Sequence, residues 1–392
     1  MKQTRRRMLK WLSANLCRFV LALTFVFSGV VKLIDPRGTQ YKIEDYAIAF
    51  GLPALTPQML PLALAVSLAM LEFYVGYNLF FGIRRRTTTR LAIAILVVMT
   101  PLTLYLAVTN AHMDCGCFGD ALVLTNWQTF AKNLVLLCTA LVAAVNYRRL
   151  TRFITERNQW LLSLYALVFA LALALYNIRY LPVMDFRPYR IGVDLPKAMM
   201  EEWEHAEKMQ YADFAIISPE KGDITMEWLE QPGYKLLLVS PHLDSADDGA
   251  IDEINNLYDY CRQHEYPFLA LTSSDDEMID RWKNFTGGEY PFAIADGIAL
   301  KTVVRSNPGL VLLHDGVIYH KWSVNDMPRI ESMELPLEEM PIGQMYENSR
   351  TRAVYRLFLW FLIPIIVWTM IDQIWVGSKL YKRHKIHKNI SK

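Results

Sequence analysis

The apolar residues of this chain are gathered into long blocks, and no other feature limits its fold as strongly. Residues 11–34, 59–82, 91–108, 127–147, 160–181 and 353–376 form six such blocks. At about 1.5 Å per helical residue, each is close to the length that crosses ~30 Å of hydrocarbon. Hydrophobic residues make up 53% of the 392, yet the stretch from about Asp185 to about Arg350 has the composition of an ordinary globular protein. The pattern is that of a polytopic helical membrane protein carrying a water-soluble insert. The expected divisions are a four-helix membrane domain (1–150), a fifth transmembrane helix (151–184), an extracytoplasmic α/β domain (185–350), and a sixth helix with a basic tail (351–392).

A net charge of +2 hides an asymmetry. Lys and Arg collect in the short segments between apolar blocks: Arg5-Arg6-Arg7, Arg84-Arg85-Arg86 with Arg90, Arg148 to Arg157, and the tail from Lys379. Acidic residues collect in the insert. This distribution reports membrane topology and excludes nucleic acid as the expected partner. Placing each basic segment in the cytoplasm puts both termini inside and residues 109–126 and the insert outside, as in a bacterial inner membrane. The basic N-terminus resembles a signal peptide, but no small-residue cleavage site follows it, so an uncleaved first span is expected. Within the spans, Lys32 and Glu72 stand out because a charge in hydrocarbon is expensive. Lys32 has the option of snorkelling to the interface. Glu72 is expected to face the bundle interior, as a polar packing partner or a proton acceptor.

The polar interruption His112-Met113-Asp114-Cys115-Gly116-Cys117-Phe118-Gly119-Asp120 is where chemistry is expected. Two thiols one residue apart can close a small strained ring, and a strained disulfide is easily reduced. That suits a carrier of oxidising equivalents. The same pair, with His112, also suits a soft metal ion, and an idle or structural pair is the bland alternative. Cys17 and Cys138 lie in apolar blocks and Cys261 on an amphipathic helix, so no disulfide-stapled scaffold is indicated.

In the insert, the continuous apolar run 234–240 predicts a buried strand, and Ile251, Ile254, Leu257, Tyr258 and Cys261 predict a helix over 247–264. A strand at 268–272, helix 275–285, strand 292–295, helix 298–305 and a hairpin 310–322 turning at Asp315-Gly316 complete a mixed α/β sandwich. Pro308, just before the hairpin and preceded by Asn307, is a candidate cis-proline.

This order, with a proline before the hairpin, resembles the thioredoxin fold over residues 234–322, with 186–233 as an extension. Active members carry Cys-x-x-Cys between the first strand of this unit and its helix. Here that position reads Ser240-Pro241-His242-Leu243-Asp244-Ser245-Ala246-Asp247, without cysteine, so thiol exchange by the insert is not expected. The resemblance makes Asn307 and Pro308 a partner-binding edge. The membrane part resembles the DoxX/MauE family, whose four-helix architecture is similar to the vitamin-K-epoxide-reductase-like bundle. The residues that carry this are Phe27-Ser28-Gly29-Val30-Val31-Lys32-Leu33-Ile34-Asp35-Pro36, then Glu72, Gly76 and Gly82, then Cys115-Gly116-Cys117-Phe118-Gly119. The resemblance implies that Cys115 and Cys117 are a redox pair and that Lys32 and Glu72 share their pocket. No second outer cysteine pair is present to relay electrons, so a separate shuttle is required.

The expected function is therefore thiol-disulfide exchange through Cys115 and Cys117. The partner is an extracytoplasmic thiol client or a thioredoxin-like shuttle, and the membrane-borne electron carrier is expected to be a quinone. The alternative is a non-enzymatic envelope scaffold or assembly factor whose redox-inactive insert binds partner proteins. No phosphate-binding glycine loop, paired-carboxylate hydrolase signature or serine nucleophile motif is present.

Overall fold

The structure is a computed structural model describing residues 2–52, 59–109, 116–205, 211, 213–329, 335–345 and 347–390. In chain order its helices of five residues or more and its strands are α1 (Lys2–Ile34), α2 (Pro36–Ala49), α3 (Met59–Phe81), α4 (Arg85–Thr109), α5 (Asn126–Val145), α6 (Gln159–Arg179), α7 (Leu195–His205), β1 (Ile217–Ser218), β2 (Gly222–Asp223), α8 (Thr225–Leu229), β3 (Tyr234–Val239), α9 (Ile251–Gln263), β4 (Phe268–Thr272), α10 (Asp276–Thr286), β5 (Phe292–Ile294), α11 (Gly297–Val303), β6 (Gly309–His314), β7 (Val317–Ser323) and α12 (Glu347–Ile390). They form two compact units: Met1–Leu175 with Tyr355–Lys392, and Tyr176–Val354.

In the first unit, six helices are long and apolar enough to cross a membrane: α1, α3, α4, α5, α6 and α12. This is a multi-pass membrane protein, as the blocks require. One expectation is corrected. The sequence reads as a polar connection over 37–58 with an amphipathic piece at 41–48, whereas residues 36–49 are a helix, α2. Asp35 caps it by accepting from Gly38 N at 2.9 Å, and Pro36 occupies its first turn, where its missing N–H costs nothing. The helix stop at Asp35-Pro36 is thus also a helix start.

The closest crossing is between the antiparallel helices α1 and α3. A Cβ added to Gly29 would sit 2.5 Å from the Phe73 backbone nitrogen, and one on Gly76 would sit 2.5 Å from that of Val26. Between transmembrane helices there is little hydrophobic drive, so close backbone approach through small residues supplies the packing. Here it also brings the residues flanking both glycines within hydrogen-bonding reach of each other. At another place in the unit, buried Asp372 on α12 accepts from Thr155 N (2.9 Å), Thr155 Oγ1 (2.7 Å) and Asn158 Nδ2 (2.6 Å). The carboxylate thus ties the final helix to the turn that precedes α6.

The second unit is a seven-stranded sheet in the order β2-β1-β5-β4-β3-β6-β7. Strands β3, β4 and β5 run parallel, while β6 and β7 form an antiparallel hairpin beside β3. The run 234–239 is buried throughout because its alternate residues enter two cores. Leu237 and Val239 pack with Leu269 and Leu271 on one face; Leu236 and Leu238 pack with Phe268 and Ala270 on the other. The Asn307-Pro308 bond is cis, and the hairpin turns at Asp315-Gly316, both in the left-handed region (φ +49° and +80°). The unit is thioredoxin-like, as its sequence order indicates, with β1, β2, α7 and α8 added from the preceding extension.

A second correction falls at the start of α9, which begins at Ile251 and not at Asp247. Asp247 Oδ1 accepts from Gly249 N at 2.9 Å, a local side-chain contact that competes with helix initiation. Residues 243–245 make a single tight turn in its place.

The glycine crossing yields a test. Gly76→Leu forces α1 and α3 apart and is expected to cost about 3 kcal/mol or more. Thermal unfolding in detergent should show a clear fall in Tm, while Gly377→Ala, in the interior of α12 with open space around it, should not lower Tm.

Candidate functional site

The spacing of polar residues on two helices builds the site. Ser28 and Lys32 are four apart on α1 and so share one face. Glu72 and Gly76 are related in the same way on α3. With the backbones drawn together at the glycines, Lys32 Nζ lies 2.6 Å from Glu72 Oε2, and both side chains are almost wholly buried. Lys32 turns inward and does not snorkel. Its ammonium has three donors and three acceptors in reach: Glu72, Ser28 Oγ at 3.0 Å and the Cys117 carbonyl at 3.1 Å. Ser28 Oγ in turn reaches Glu72 Oε2 at 2.7 Å and also the Cys117 carbonyl. It has a single proton, so it serves one of the two acceptors at a time.

The Cys-Gly-Cys loop is therefore held by its backbone. Residues 117–120 form a turn, with Gly119 N donating to Gly116 O at 3.1 Å. A Cβ on Gly119 would meet Val31 Cγ1 at 2.9 Å, and one on Gly116 would meet Lys42 Cδ at 2.6 Å. Both glycines have positive φ, so this turn, seated against α1 and α2, needs them twice over. Phe118 is buried, edge-on to Phe27 at 5.3 Å. Lys42 faces Asp120 at 3.6 Å.

Beside Cys117 is a cavity of about 40 Å³, lined among others by Ser28, Glu72, Met99, Phe118, Lys132 and Asn133. A water needs at least about 10–15 Å³ by this measure, and an apolar cavity that takes benzene measures about 150 Å³. The cavity suits one or a few waters.

Of the residues singled out from sequence, Lys32, Glu72 and Cys117 meet at this site. Cys115 and His112 lie outside the described residues, and no cluster of metal-ligating side chains occurs among the described ones. Asn307 and Pro308 belong to the other unit. There Pro308 is buried, and Asn307 is occupied within its own domain. Its Nδ2 donates to the His242 carbonyl at 2.8 Å, its Oδ1 accepts from Ser240 Oγ at 2.7 Å, and its carbonyl accepts from Asp247 N at 2.9 Å. With α9 starting late, the segment 240–247 presents neither a cysteine nor the helix N-terminus that would make one acidic. Cys261 is fully buried, and desolvation pushes its thiol up to about 12.

Ser28, Lys42, Lys132 and Asn133 were not identified as site residues from sequence. The signals were there: Ser28 stands four residues before Lys32, and Lys132 is a lone basic residue within an apolar block, to which the reasoning used for Glu72 applies equally.

The fold joins a helical membrane part to a thioredoxin-like domain. Residues 9–146 match the family described as Methylamine utilisation protein MauE; the match ends before α6 and covers the whole site just described. No curated protein matches the chain. Among solved structures, a solution structure of a candidate protein disulfide isomerase from Bacteroides thetaiotaomicron is similar. It has 16% identity and a TM-score of 0.24, covering 29% of this chain and 76% of that one. A score that low carries no argument, and the thioredoxin-like assignment stands on strand order and connectivity.

Two outcomes follow. Lys32→Met alone leaves a buried carboxylate unpaired and should cost about 3–5 kcal/mol, while adding Glu72→Leu should recover much of that; a double-mutant cycle of denaturation midpoints measures it. Cys261, protonated in the fold at any pH well below about 12, should resist maleimide at pH 8 until the domain is unfolded, as read by mass spectrometry.

Proposed function

We propose that this protein is a membrane thiol-disulfide redox protein working through Cys115 and Cys117. The observation that carries the reading is the buried Lys32–Glu72 pair, whose lysine, together with Ser28, donates to the Cys117 carbonyl. An ion pair costs several kcal/mol per ion to desolvate. Here it is spent on a single turn of the chain, the one that bears the thiols. The match to MauE over residues 9–146 supports the same region as the working part.

The exchange runs as follows. A thiolate of an extracytoplasmic client attacks the Cys115–Cys117 disulfide, a mixed disulfide forms, and the other cysteine leaves as a thiolate. The client's second thiolate then attacks the mixed disulfide, closing the client's own disulfide and releasing the second cysteine. Two electrons have passed from client to pair. Glu72 lines the cavity beside Cys117, and a carboxylate there exchanges protons with the cysteine through Ser28 or water. A disulfide-bearing shuttle protein of the thioredoxin class takes the two electrons and restores the pair. The positive-inside distribution of Lys and Arg supports an inner-membrane setting with cytoplasmic termini, the turn at 116–120 and the thioredoxin-like domain being outside, where disulfides persist.

A second reading is favoured by the segment 240–247, which has no cysteine and is closed over by Asn307. In it the thioredoxin-like domain is a docking surface and the protein a non-enzymatic scaffold. One comparison separates the two. Whole cells are quenched with a thiol-blocking reagent, reduced, and labelled with a mass tag. Redox function predicts that Cys115 and Cys117 appear oxidised in a substantial fraction of molecules, and that Cys115→Ser/Cys117→Ser abolishes complementation of a deletion strain. A pair never found oxidised, with full complementation by the double variant, leaves the scaffold.

A further inference from the structure

Lys132 lies six residues into α5, about 9 Å along the helix from its start. A lysine at such a depth either extends along the helix to the interface or turns into the bundle. This one turns in. Its Nζ is 4.2 Å from the centre of the Phe118 ring, the residue after Cys117, and the side chain is half-buried on the cavity it shares with Cys117, Glu72 and Ser28.

Among the described residues, the charges around Cys117 fall element by element. From α1 and α3 come Lys32 and Glu72, paired at 2.6 Å. From α2 comes Lys42, opposite Asp120 of the turn itself at 3.6 Å. The α4 side of the cavity contributes Ile95, Leu96 and Met99, none of them charged. From α5 comes Lys132, which has no carboxylate partner among the described residues. The first four charges cancel in pairs, so among the described residues one positive charge remains. The ring of Phe118 offsets part of its cost, but a half-buried ammonium still favours an anion beside it. Glu72 is already paired with Lys32, and the remaining acidic group among the residues lining this cavity is the thiol of Cys117.

We infer that Lys132 is the counter-ion of the Cys117 thiolate. The inference deepens the proposed function and rests on it for the exchange step, though not for the acidity of Cys117. The sulfur with the more stable thiolate leaves faster. A client thiolate therefore attacks Cys115: the Cys115–Cys117 bond breaks, a client–Cys115 bond forms, and the electron pair and negative charge pass to Cys117 opposite Lys132. Lys132 is a positioning residue in this scheme, acting on the reaction through the charge of Cys117.

The test uses the full-length chain in nanodiscs with Cys17, Cys115 and Cys138 changed to Ser, so that Cys117 is the reactive thiol left while Cys261 stays buried. Iodoacetamide alkylation is followed across pH. With Lys132 intact, the midpoint is expected below the ordinary thiol range. Lys132→Met and Lys132→Gln should raise it by about one unit, slowing alkylation about tenfold at pH 7, and Lys132→Arg should restore it. Tm read on the same samples shows whether each variant is folded. A midpoint that is the same in folded Lys132→Met or Lys132→Gln as with Lys132 overturns the inference. The outcome is independent of the larger reading: a Lys132-dependent midpoint in a protein whose pair never cycles in cells upholds the counter-ion and rejects the redox function. A cycling pair with a Lys132-independent midpoint does the reverse.

Discussion

The buried pair of Lys32 and Glu72 is the interaction on which the rest of the membrane part depends. Two charges in this environment are tolerated only if every donor and acceptor is used. Here the ammonium satisfies its third donor on the backbone of the turn that carries Cys117, and the Ser28 hydroxyl reaches the same carbonyl. Non-helical backbone at such a position needs partners from the protein, and the ion pair provides them. The dependence is mutual: the turn completes the coordination of the lysine, and the lysine fixes the turn. Gly29 and Gly76 make the arrangement possible, because any larger residue at either place would hold α1 and α3 too far apart for a 2.6 Å contact.

The chemistry that results is that of a thiol with a defined electrostatic neighbourhood. Among the described residues Lys32 is paired with Glu72 and Lys42 with Asp120, leaving Lys132 to act on the sulfur. The thioredoxin-like domain has the sheet and the cis peptide before its hairpin, but its segment 240–247 has no cysteine and is tied by hydrogen bonds to Asn307.

Much of this was legible in the chain. The six apolar blocks mark the six spanning helices, and the strand, helix and hairpin periods of the second unit mark its sheet. Glu72 announced itself as a charge with no route to water. What the sequence concealed has physical reasons. The helix at 36–49 hides behind Asp35-Pro36, a pair that stops one helix and caps the next. The strands β1 and β2 are two residues each, too short for any period to show. The delayed start of α9 comes from a side-chain contact of Asp247 that no periodicity reports. Lys132 has the same signature as Lys32, but only the fold says that it turns toward Phe118 and away from the interface. The role of Asp372 as a tether for α12 requires residues more than two hundred positions apart to meet.

The central claim is that redox change at the cysteines is felt by the buried ion pair. Infrared difference spectroscopy between the oxidised and reduced protein reads it directly, through the carboxyl and carboxylate bands of Glu72. The account predicts a carboxyl signal that appears on changing the redox state, disappears in Glu72→Gln and shifts in Lys32→Arg. A difference spectrum in which thiol bands change while no carboxyl band responds, or in which the carboxyl signal survives Glu72→Gln, would contradict it.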